Sequence, residues 1–569
     1  MHKSNQPSNT KTSKDNGNIK YLVSLLPEIY QPIYQHPELS RNISRECEDR
    51  LSHLVGVYEA LREKLNRPIR VLDLGCAQGF FSLNLAELGA SVHGIDSLGK
   101  NIAVCQALAD ESEGISASFV TGKVEDVIDT FLPDQFDLVI GLSLFHHLIH
   151  EHGLSSVQHL LTKLAQTVPI GIFEVALRSE PLYWGPSQPE DPEQILRDYA
   201  FVHELAQLQT HLSEVKRPLY FASNHYWYLS NQIGYFENVQ SESHSYAHGT
   251  HQDTRRYYFG EGRIVKFHLM NVTERQSPNL KEHQNEVSFL SDLPEGFSAP
   301  KLIFHGKNEK ELWLVRDQLE GRLLVDYFET PSSYDHEKVI DDILQQLVVL
   351  ERAKLYHNDV RCWNVLLSPE KRASLIDYGS ISSERCDCVW PHDLLMAFII
   401  FMREVISRAT AHPDPIRKPL LDIGALPAKY RNAFLRLLVT PKSQWSFSSL
   451  QQHIAQADNP QNLDPVNLAD GFSALLSTME NATFIYEETI HQWQDICKEV
   501  QAQRGEQIET LTAMLRESEA DRAVREEQTE KLMDNLRILF SRPVFHWLIR
   551  FASWPEVKKL AEIIKNPDE

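Results

Sequence analysis

The hydrophobic pattern divides the chain into segments of different periodicity. Over residues 21–247, helical repeats alternate with short apolar runs bounded by turns, such as VLDL and FDLVIGL. Strands that alternate with helices are typical of an α/β domain with a parallel sheet. We therefore predict an α/β domain over 21–247. A polar stretch over 1–20 precedes it, and we expect this stretch to be a disordered tail.

A second segment, 254–482, opens with β-like runs (RRYYFG, RIVKFHLM, ELWLVRDQL) and continues into long helical patterns. This order predicts a small sheet lobe followed by a helical lobe. The stretch from Asn238 to Asp253 is polar and rich in Ser and His, which is typical of a surface connection between domains.

The last part of the chain has a helical repeat. Apolar residues recur at spacings of three and four over 484–540, in a stretch without proline. This predicts a coiled coil that is locally weak between Ser518 and Thr529, where polar residues occupy the seam. The final segment, 541–569, contains an aromatic-rich amphipathic stretch with more basic than acidic residues, and we expect it to bind a membrane surface. A bundle that caps the coiled coil is the alternative.

Composition narrows the class of protein. The chain has 569 residues, and no apolar run approaches the roughly 18 residues of a membrane-spanning helix. A formal charge of -22 argues against nucleic acid as a partner, because such binding depends on Lys and Arg that neutralise phosphates. Seven scattered cysteines give no disulfide framework. The polar start has no apolar signal region, so we expect a cytoplasmic protein.

A glycine turn marks the first candidate site. In the string VLDLGCAQG, a predicted strand ends at Asp73 and turns through Gly75 and Gly79, which let a ligand approach the backbone closely. A second strand, SVHGID, ends in Asp96, where a carboxylate meets ribose hydroxyls at the edge of a doubly wound sheet. The string VEDV then offers Glu125 as an acidic contact near an adenine.

These elements, with a fourth strand in FDLVIGLSLFHHL, resemble the class I S-adenosylmethionine-dependent methyltransferases. The resemblance implies a Rossmann-like fold in which the glycine turn faces the amino-acid end of S-adenosylmethionine. Ser143, which follows the fourth strand, is a further predicted cofactor contact. A Rossmann-like domain with a purely structural role is the alternative.

A second pair of strings carries the chemistry of phosphoryl transfer. That reaction uses a carboxylate to orient and deprotonate a hydroxyl, oxygen ligands to hold Mg²⁺, and a lysine to neutralise phosphates. In HNDVRCWNVL and LIDYGS, Asp359 fits the first role, and Asn364 and Asp377, 13 residues apart, fit the second. This spacing resembles the protein-kinase-like superfamily, in the form that small-molecule and sugar kinases use.

The lysine and its partner are expected upstream. Lys266 in RIVKF fits the lysine, and Glu286 in the following helical pattern fits its partner, with Glu282 as the competitor. A glycine-rich nucleotide loop is represented only by Gly260 and Gly262 in YFGEGRIV. A catalytically inactive pseudokinase is the alternative.

Together, the two halves resemble the bifunctional O-antigen chain terminators of the WbdD type. The strings LPEIYQ, VLDLGCAQGFFSL, GLSLFHH, EPLYWGPSQPEDP, RRYYFGE and HNDVRCWNV carry this resemblance. It implies that the kinase uses ATP to phosphorylate the non-reducing terminal sugar of a lipid-linked polymannose. The methyltransferase then methylates that phosphate, which stops polymerisation and controls chain length. The resemblance also implies cofactor contacts at Tyr30, Gln31 and Arg50.

The resemblance further implies a homotrimer, peripheral on the inner membrane, whose coiled coil binds a polysaccharide polymerase (mannosyltransferase). Two other interpretations remain open: an inactive scaffold that recruits the polymerase, and a bifunctional enzyme that modifies a soluble sugar. The intact residues Asp359, Asn364, Asp377 and Asp96 argue against the first. The coiled coil and the amphipathic end argue against the second.

Overall fold

The described residues form five sheets, the largest of seven strands, together with a series of helices. The strands are β1 (Arg70–Leu74), β2 (Ser91–Asp96), β3 (Ser116–Thr121), β4 (Leu138–Gly141), β5 (Ile170–Glu174), β6 (Phe201–Leu208), β7 (Arg217–Ser223), β8 (Tyr226–Leu229), β9 (Gln232–Tyr235), β10 (Asn238–Gln240), β11 (Arg255–Gly260), β12 (Arg263–Leu269), β13 (Leu302–Lys307), β14 (Glu311–Asp317), β15 (Arg322–Leu323), β16 (Tyr356–His357), β17 (Val365–Leu367), β18 (Ala373–Leu375) and β19 (Ile381–Ser382). The helices are α1 (Thr12–Ser24), α2 (Glu48–Leu65), α3 (Phe80–Glu87), α4 (Gly99–Glu111), α5 (Val124–Val127), α6 (Phe145–His152), α7 (Leu154–Thr167), α8 (Thr273–Ser291), α9 (His336–Arg352), α10 (Leu394–Ser407), α11 (Ala428–Leu438), α12 (Phe447–Ala455) and α13 (Pro465–Ser541). This computed structural model describes residues 12–41, 43–244, 250–330, 334–388, 391–410, 423–456 and 465–541.

The seven-stranded sheet has the order β3-β2-β1-β4-β5-β7-β6. Its first five strands are parallel, and β7 runs antiparallel to both of its neighbours. Helices connect the parallel strands, as in a doubly wound sheet. The predicted Rossmann-like α/β fold is therefore confirmed.

The two faces of this sheet bury alternate residues of each strand. Val71 packs on one face with α2, whereas Leu72 and Leu74 pack on the other face with α6 and α7. Every residue of β4 and β5 is buried. Strands covered on both faces are expected to be continuously apolar, which explains why short apolar runs marked them in the sequence.

The prediction of a disordered tail over 1–20 is wrong for residues 12–20. They belong to α1, where Ile19 and Val23 are buried against Ile102 and Leu108 of α4. A short apolar stripe at helical spacing is enough to dock this helix, although its surroundings are polar. Residues 1–11 lie outside the described part of the chain.

The next region has two lobes, as predicted. A five-stranded antiparallel sheet has the order β10-β11-β12-β14-β13, and α8 packs on it. The second lobe contains the small sheets β15-β17-β18 and β16-β19 together with helices α9, α10 and α12. This arrangement confirms the two-lobed, protein-kinase-like fold.

The boundary that we predicted between the two domains has to move. Strand β10 pairs with β11, with Asn238 opposite Phe259 and Gln240 opposite Tyr257, so the five-stranded sheet begins before residue 247. The first residues of the polar stretch, Asn238 to Gln240, are therefore a strand of the second domain, and the connection between the domains lies before them. The strand is short, and all three of its residues are exposed. It therefore lacks the alternation of apolar and polar residues by which a strand is recognised in a sequence.

The two domains share one hydrophobic core and belong to one compact unit. Phe201 and Phe236 of the first domain pack with Tyr258, Phe267 and Trp313 of the second. Two polar contacts reinforce this interface: the Tyr258 hydroxyl donates to a backbone carbonyl 2.9 Å away, and a histidine–glutamate pair lies at 2.8 Å. The two active sites are therefore built on a single packed body.

A separate compact unit contains residues 434–445 and the long helix α13. The 77 residues of α13 extend roughly 115 Å at about 1.5 Å per residue. The helix begins at Pro465, so it is longer than the predicted coiled coil over 484–540. It exposes large apolar side chains, namely Ile485, Trp493, Ile496, Val500, Ile508, Leu511, Met514, Leu515 and Leu532.

The predicted membrane-binding segment lies almost entirely outside the described residues, because the structure describes nothing after Ser541. Among the helices that it does describe, none combines the length and the apolar character needed to cross a lipid bilayer.

Candidate functional site

A cavity of about 430 Å³ lies at the carboxyl ends of β1, β2 and β4. Ligands of doubly wound sheets bind at this edge. Six of the nine predicted cofactor contacts line its wall: Tyr30, Gln31, Asp73, Gly75, Asp96 and Ser143.

The glycine turn after β1 has a backbone that other residues would strain. Gly75 and Gly79 have φ angles of +75° and +77°. A Cβ atom on Gly79 would lie 2.9 Å from the Sγ atom of Cys105, and one on Gly75 would lie 3.5 Å from Leu144. Gly79 therefore shapes the turn without lining the cavity, and Gly75 keeps the wall open for a ligand.

Two aspartates follow the strands at this edge. The Asp96 carboxylate accepts hydrogen bonds from the backbone N–H groups of Ala77 (3.0 Å) and Leu98 (2.8 Å), which fix it at the cavity wall. Asp73 is buried and accepts a hydrogen bond from the Ser82 hydroxyl at 2.6 Å. Burial raises the pKa of Asp73 to about 6.

The segment after α1 folds over the glycine turn. The backbone N–H groups of Tyr30 and Gln31 donate to the Gln78 side-chain oxygen at 3.2 and 3.0 Å. The side-chain oxygen of Gln31 in turn accepts a hydrogen bond from the Phe80 backbone at 3.1 Å. These contacts bring both predicted residues to the cavity, and together with the open glycine turn they fit a cofactor covered from the N-terminal side.

Two other predicted contacts lie outside the cavity wall. Arg50 is 1% exposed, and its Nε–H donates to the Glu174 carboxylate at 2.6 Å. Glu125 lies 3.5 Å from the Nε2 atom of His152. The structure thus places Arg50 behind Glu174, while Glu125 lies beside a neighbouring helix.

A buried ion network that no sequence motif predicted lies at the same cavity, which its Arg45 and Arg217 line. Arg45 donates to both carboxylate oxygens of Glu174 at 2.7 and 2.6 Å, and the Ser143 hydroxyl donates to the same carboxylate at 2.8 Å. Arg217 donates to both oxygens of Glu180 at 2.7 and 2.6 Å. Glu174 ends a parallel strand, and this position was the one signal that could have found it.

The arginines of this network shift the pKa values of the groups around them. Burial would raise the pKa of Glu174, but Arg45 and Arg50 lower it to about 2, so this carboxylate stays ionised. Burial, together with the charge of Arg217, lowers the pKa of His146 to about 2. Burial and Arg217 also lower the pKa of His147. This part of the cavity therefore combines fixed guanidinium charges with neutral imidazoles.

In the second domain, Lys266 forms the predicted ion pair with Glu286, with the Nζ and Oε2 atoms 2.7 Å apart. The competing Glu282 instead pairs with Arg255 and Arg275. Burial would lower the pKa of Lys266, but the charge of Glu286 outweighs it and raises the pKa. The lysine is therefore a fixed positive charge.

The three predicted oxygen-bearing side chains of this site are Asp359, Asn364 and Asp377, of which Asp377 lies near the lysine. The Asn364 amide donates to the Asp359 carboxylate at 2.7 Å. Asp377 lies 3.9 Å from the Lys266 nitrogen and accepts a hydrogen bond from the Ser380 hydroxyl at 2.6 Å. Carboxylate and amide oxygens are ligands that Mg²⁺ accepts, so the set fits a cation that carries phosphates.

A positioning pair beside Asp359 was also missed. The Arg361 Nε atom lies 3.3 Å from the Asp359 carboxylate, and its two terminal nitrogens each donate to Asp387 at 2.9 Å. Asp387 is buried between two exposed cysteines. No spacing rule connects Asp387 to the catalytic string, so this pair could not be predicted from local spacing.

Gly260 and Gly262, the predicted nucleotide loop, lie at the turn between β11 and β12. The residue between them, Glu261, forms an ion pair with Lys64 of the first domain and accepts a backbone hydrogen bond at 3.2 Å. After β10, the ring of His244 lies 5.9 Å from that of Trp363 in the catalytic string. A role of the two glycines in nucleotide binding stays a prediction.

Comparisons with known proteins agree with this architecture. A family model described as a methyltransferase domain matches residues 71–165. A solved structure of the bifunctional kinase-methyltransferase WbdD is 36% identical, covers 80% of this chain and 100% of its own, and has a TM-score of 0.68. Another WbdD structure, with an ordered C-terminal bundle, is 36% identical, covers 85% and 99% of the two chains, and has a TM-score of 0.73.

A curated relative from Escherichia coli is named O-antigen chain terminator bifunctional methyltransferase/kinase WbdD. It is 40% identical over 435 residues, which are 75% of this chain and 61% of the relative. The match therefore spans less than two thirds of the relative's length.

The fold and the two sites define a protein that joins a Rossmann-like methyltransferase domain to a two-lobed kinase-like domain in one compact unit. The chain belongs to the WbdD family of bifunctional kinase-methyltransferases.

Proposed function

We propose that this chain caps a lipid-linked polymannose in two steps. With ATP it phosphorylates the non-reducing terminal sugar, and with S-adenosylmethionine it methylates that phosphate. The supporting observation is that a complete set of phosphotransfer residues and a methyltransferase-type cavity share one compact unit and one hydrophobic core. A product of the first site can serve as the acceptor of the second.

In the kinase site, Asp359 orients the sugar hydroxyl and accepts its proton, which is the usual role of a carboxylate at this position. Lys266, fixed by Glu286, faces the ATP phosphates. Asn364 and Asp377 would hold Mg²⁺, which supplies charge neutralisation on the phosphates. The hydrogen bond from Asn364 to Asp359 couples the orientation of the two side chains.

In the methyltransferase site, Tyr30, Gln31, Gly75 and Asp96 would hold S-adenosylmethionine, which supplies an electrophilic methyl group on its sulfonium. The phosphate oxygen forms the new O–C bond as the S–C bond of the donor breaks. A phosphate monoester is already anionic at neutral pH, so the step needs positioning and no general base.

The long helix supports a role in assembly. The exposed apolar side chains of α13 are suited to pack against other copies of this helix, and one related structure has an ordered C-terminal bundle. We propose a homotrimer that binds the polymerase through this helix, lies at the cytoplasmic face of the inner membrane and uses the segment 541–569 as its anchor. Deletion of whole heptads from α13 is then expected to shorten the polymer.

The test is an assay on a mannose oligosaccharide with ATP and S-adenosylmethionine, in which mass spectrometry detects phosphate and methyl groups at the chain end. Wild-type protein is expected to add both groups, and Asp359→Ala neither. Asp292→Ala, at an exposed carboxylate of the same domain, is the matched control. No transfer by wild-type protein would support the scaffold. Equal transfer to free mannose would support the enzyme of a soluble sugar.

A further inference from the structure

The arginines at the acceptor end of the methyltransferase cavity are held in place before any ligand binds. The side chains of Arg45 and Arg217 are each 5% exposed, and both residues line the cavity. Glu174 and Glu180, whose side chains are fully buried, hold them through paired hydrogen bonds. Both guanidinium groups are therefore fixed in orientation as well as in position.

Arg45 and Arg217 place two positive charges at the cavity wall. Glu174 and Glu180 pair with them, while the third guanidinium group of the network, that of Arg50, also pairs with the partly exposed Asp49. Nearby imidazoles respond to the arginines. Burial lowers the pKa values of three cavity histidines, and the neighbouring arginines lower them further; these are His146, His147 and His211.

The network also leaves a donor available. Within the described ranges, the buried Nε atom of Arg45 has no hydrogen-bond partner. Arg217 lies over the ring of Trp184, 5.7 Å from its centroid, so one face of its guanidinium is covered by an apolar group. An anion in the cavity would therefore meet partly desolvated, charged donors, which form the strongest hydrogen bonds.

We propose that Arg45 and Arg217 bind the phosphate monoester of the acceptor and direct one of its oxygens towards the methyl donor. This inference rests on the proposed function. Planar guanidinium groups match the spacing of phosphate oxygens, and here they line the same cavity as Gly75 and Asp96 of the predicted cofactor site. In the step, the phosphate dianion becomes a methyl phosphodiester monoanion, the sulfonium becomes a neutral thioether, and no proton moves.

The same arrangement provides specificity for a phosphorylated acceptor. A neutral sugar hydroxyl in this position would give the two guanidinium groups no anion to bind, and the cavity histidines, whose pKa values are lowered, are weak bases for its proton. The neutral histidines at the wall can hydrogen-bond to the phosphate without adding charge that would trap the product. The site therefore favours a phosphorylated acceptor over an unmodified one.

The test uses the full-length variants Arg45→Lys and Arg217→Lys, which keep the charge but lose the paired geometry. The acceptor is a mannose oligosaccharide phosphorylated at its non-reducing end, and inorganic phosphate is the competitor. Each variant is expected to raise the acceptor KM by about 10- to 100-fold, the range for loss of one charge-assisted hydrogen bond. Inhibition by inorganic phosphate weakens in parallel. In Arg217→Lys the Kd of S-adenosylmethionine changes less than about twofold, whereas Arg45 also donates to the Tyr30 hydroxyl at 3.0 Å, so its variant tests the acceptor alone.

Two further variants keep the result interpretable. Lys216→Gln removes an exposed positive charge next to Arg217 and is expected to behave as wild type. The paired variant Arg217→Gln with Glu180→Gln removes both partners of the buried pair, so that no charge is left unpaired if the single variants fail to fold. Its acceptor KM is expected to rise as well.

Unchanged acceptor KM in these variants would overturn the assignment. A parallel loss of S-adenosylmethionine affinity in Arg217→Lys would also overturn it, because Arg217 would then act only through the fold of the cavity. If wild-type protein methylates no phosphorylated acceptor, the proposed function itself is wrong. If it does and the variants match it, only the assignment to the two arginines is wrong.

Discussion

The two active sites treat charged side chains in opposite ways. At the methyltransferase cavity, the side chains of Arg45 and Arg217 are 5% exposed and that of Glu174 is not exposed at all. At the kinase site, the carboxylates of Asp359 and Asp377 are 22% and 34% exposed. The charged groups of the first site are held by ion pairs with one another. The carboxylates of the second site are accessible to ligands.

The difference follows from the two reactions that we propose. Methyl transfer to an ionised phosphate needs orientation and a favourable field, which buried and mutually paired groups provide without having to move. Phosphorylation of a hydroxyl needs a carboxylate that reaches the substrate and oxygens that reach a cation. The kinase site still keeps one pair buried, Lys266 with Glu286, where the charge has to be fixed.

The largest effect is expected when a substitution breaks the ion pair between Lys266 and Glu286. Lys266→Met removes a fixed charge that faces the phosphates, so phosphotransfer is expected to fall by about two to three orders of magnitude. It also leaves Glu286 buried without its main partner, which is expected to cost about 3–5 kcal/mol of stability. Steady-state kinetics and urea unfolding measure the two effects.

The paired variant Lys266→Met with Glu286→Gln separates the effect on phosphotransfer from the effect on stability. It removes both charges, so most of the stability is expected to return while phosphotransfer stays low. Methylation of a pre-phosphorylated acceptor is expected to continue in this variant. Recovery of phosphotransfer together with stability would show that the pair serves folding and not catalysis.

A smaller effect is expected at the carboxyl group of Asp73, whose pKa is raised, whereas the pKa of Glu174 in the ion network is lowered. The pKa of Asp73 is raised to about 6 in the folded protein, so folding favours its protonated form. Its contribution to stability is greatest below pH 4 and is lost as the pH rises to about 6, by about 3 kcal/mol. The stability of Asp73→Asn relative to wild type is therefore expected to rise by this amount between pH 4 and pH 7. A constant difference across this range, measured by urea unfolding, would contradict the role of burial.

The smallest effect concerns the glycine turn. Gly79→Ala and Gly114→Ala both place a side chain at a positive φ, so each is expected to cost about 1–2 kcal/mol of stability. Only at Gly79 would the new Cβ meet a neighbour, the Cys105 sulfur at 2.9 Å. Calorimetric titration is therefore expected to show weaker S-adenosylmethionine binding for Gly79→Ala alone. Equal affinities in the two variants would mean that the turn does not shape the cofactor site.

The same comparison shows what the sequence could predict. Asp73, Asp96, Asp359 and Asp377 lie in strings where a strand end and its loop are continuous in the chain, so local spacing was enough to find them. The partners Arg45 and Glu174 are 129 positions apart and meet only when the sheet closes. No local pattern specifies such a pair.

Arg50 and Glu125 stay predictions as cofactor contacts. In the structure Arg50 pairs with Glu174 and Glu125 lies beside His152, and neither residue lines the cavity. The position of a side chain relative to a cavity depends on the helix that carries it. Strand β10 was missed for a different reason, because a three-residue exposed edge strand has no periodicity to detect.

One measurement tests the central claim that the methyl acceptor is the phosphate made by the kinase site. Wild-type protein is given S-adenosylmethionine without ATP, together with an equimolar mixture of phosphorylated and unphosphorylated mannose oligosaccharides, and the products are fragmented by mass spectrometry. We expect methylation of the phosphorylated oligosaccharide alone, with the methyl group on the phosphate. A methyl group on a sugar hydroxyl, or on the unphosphorylated oligosaccharide, would contradict the account.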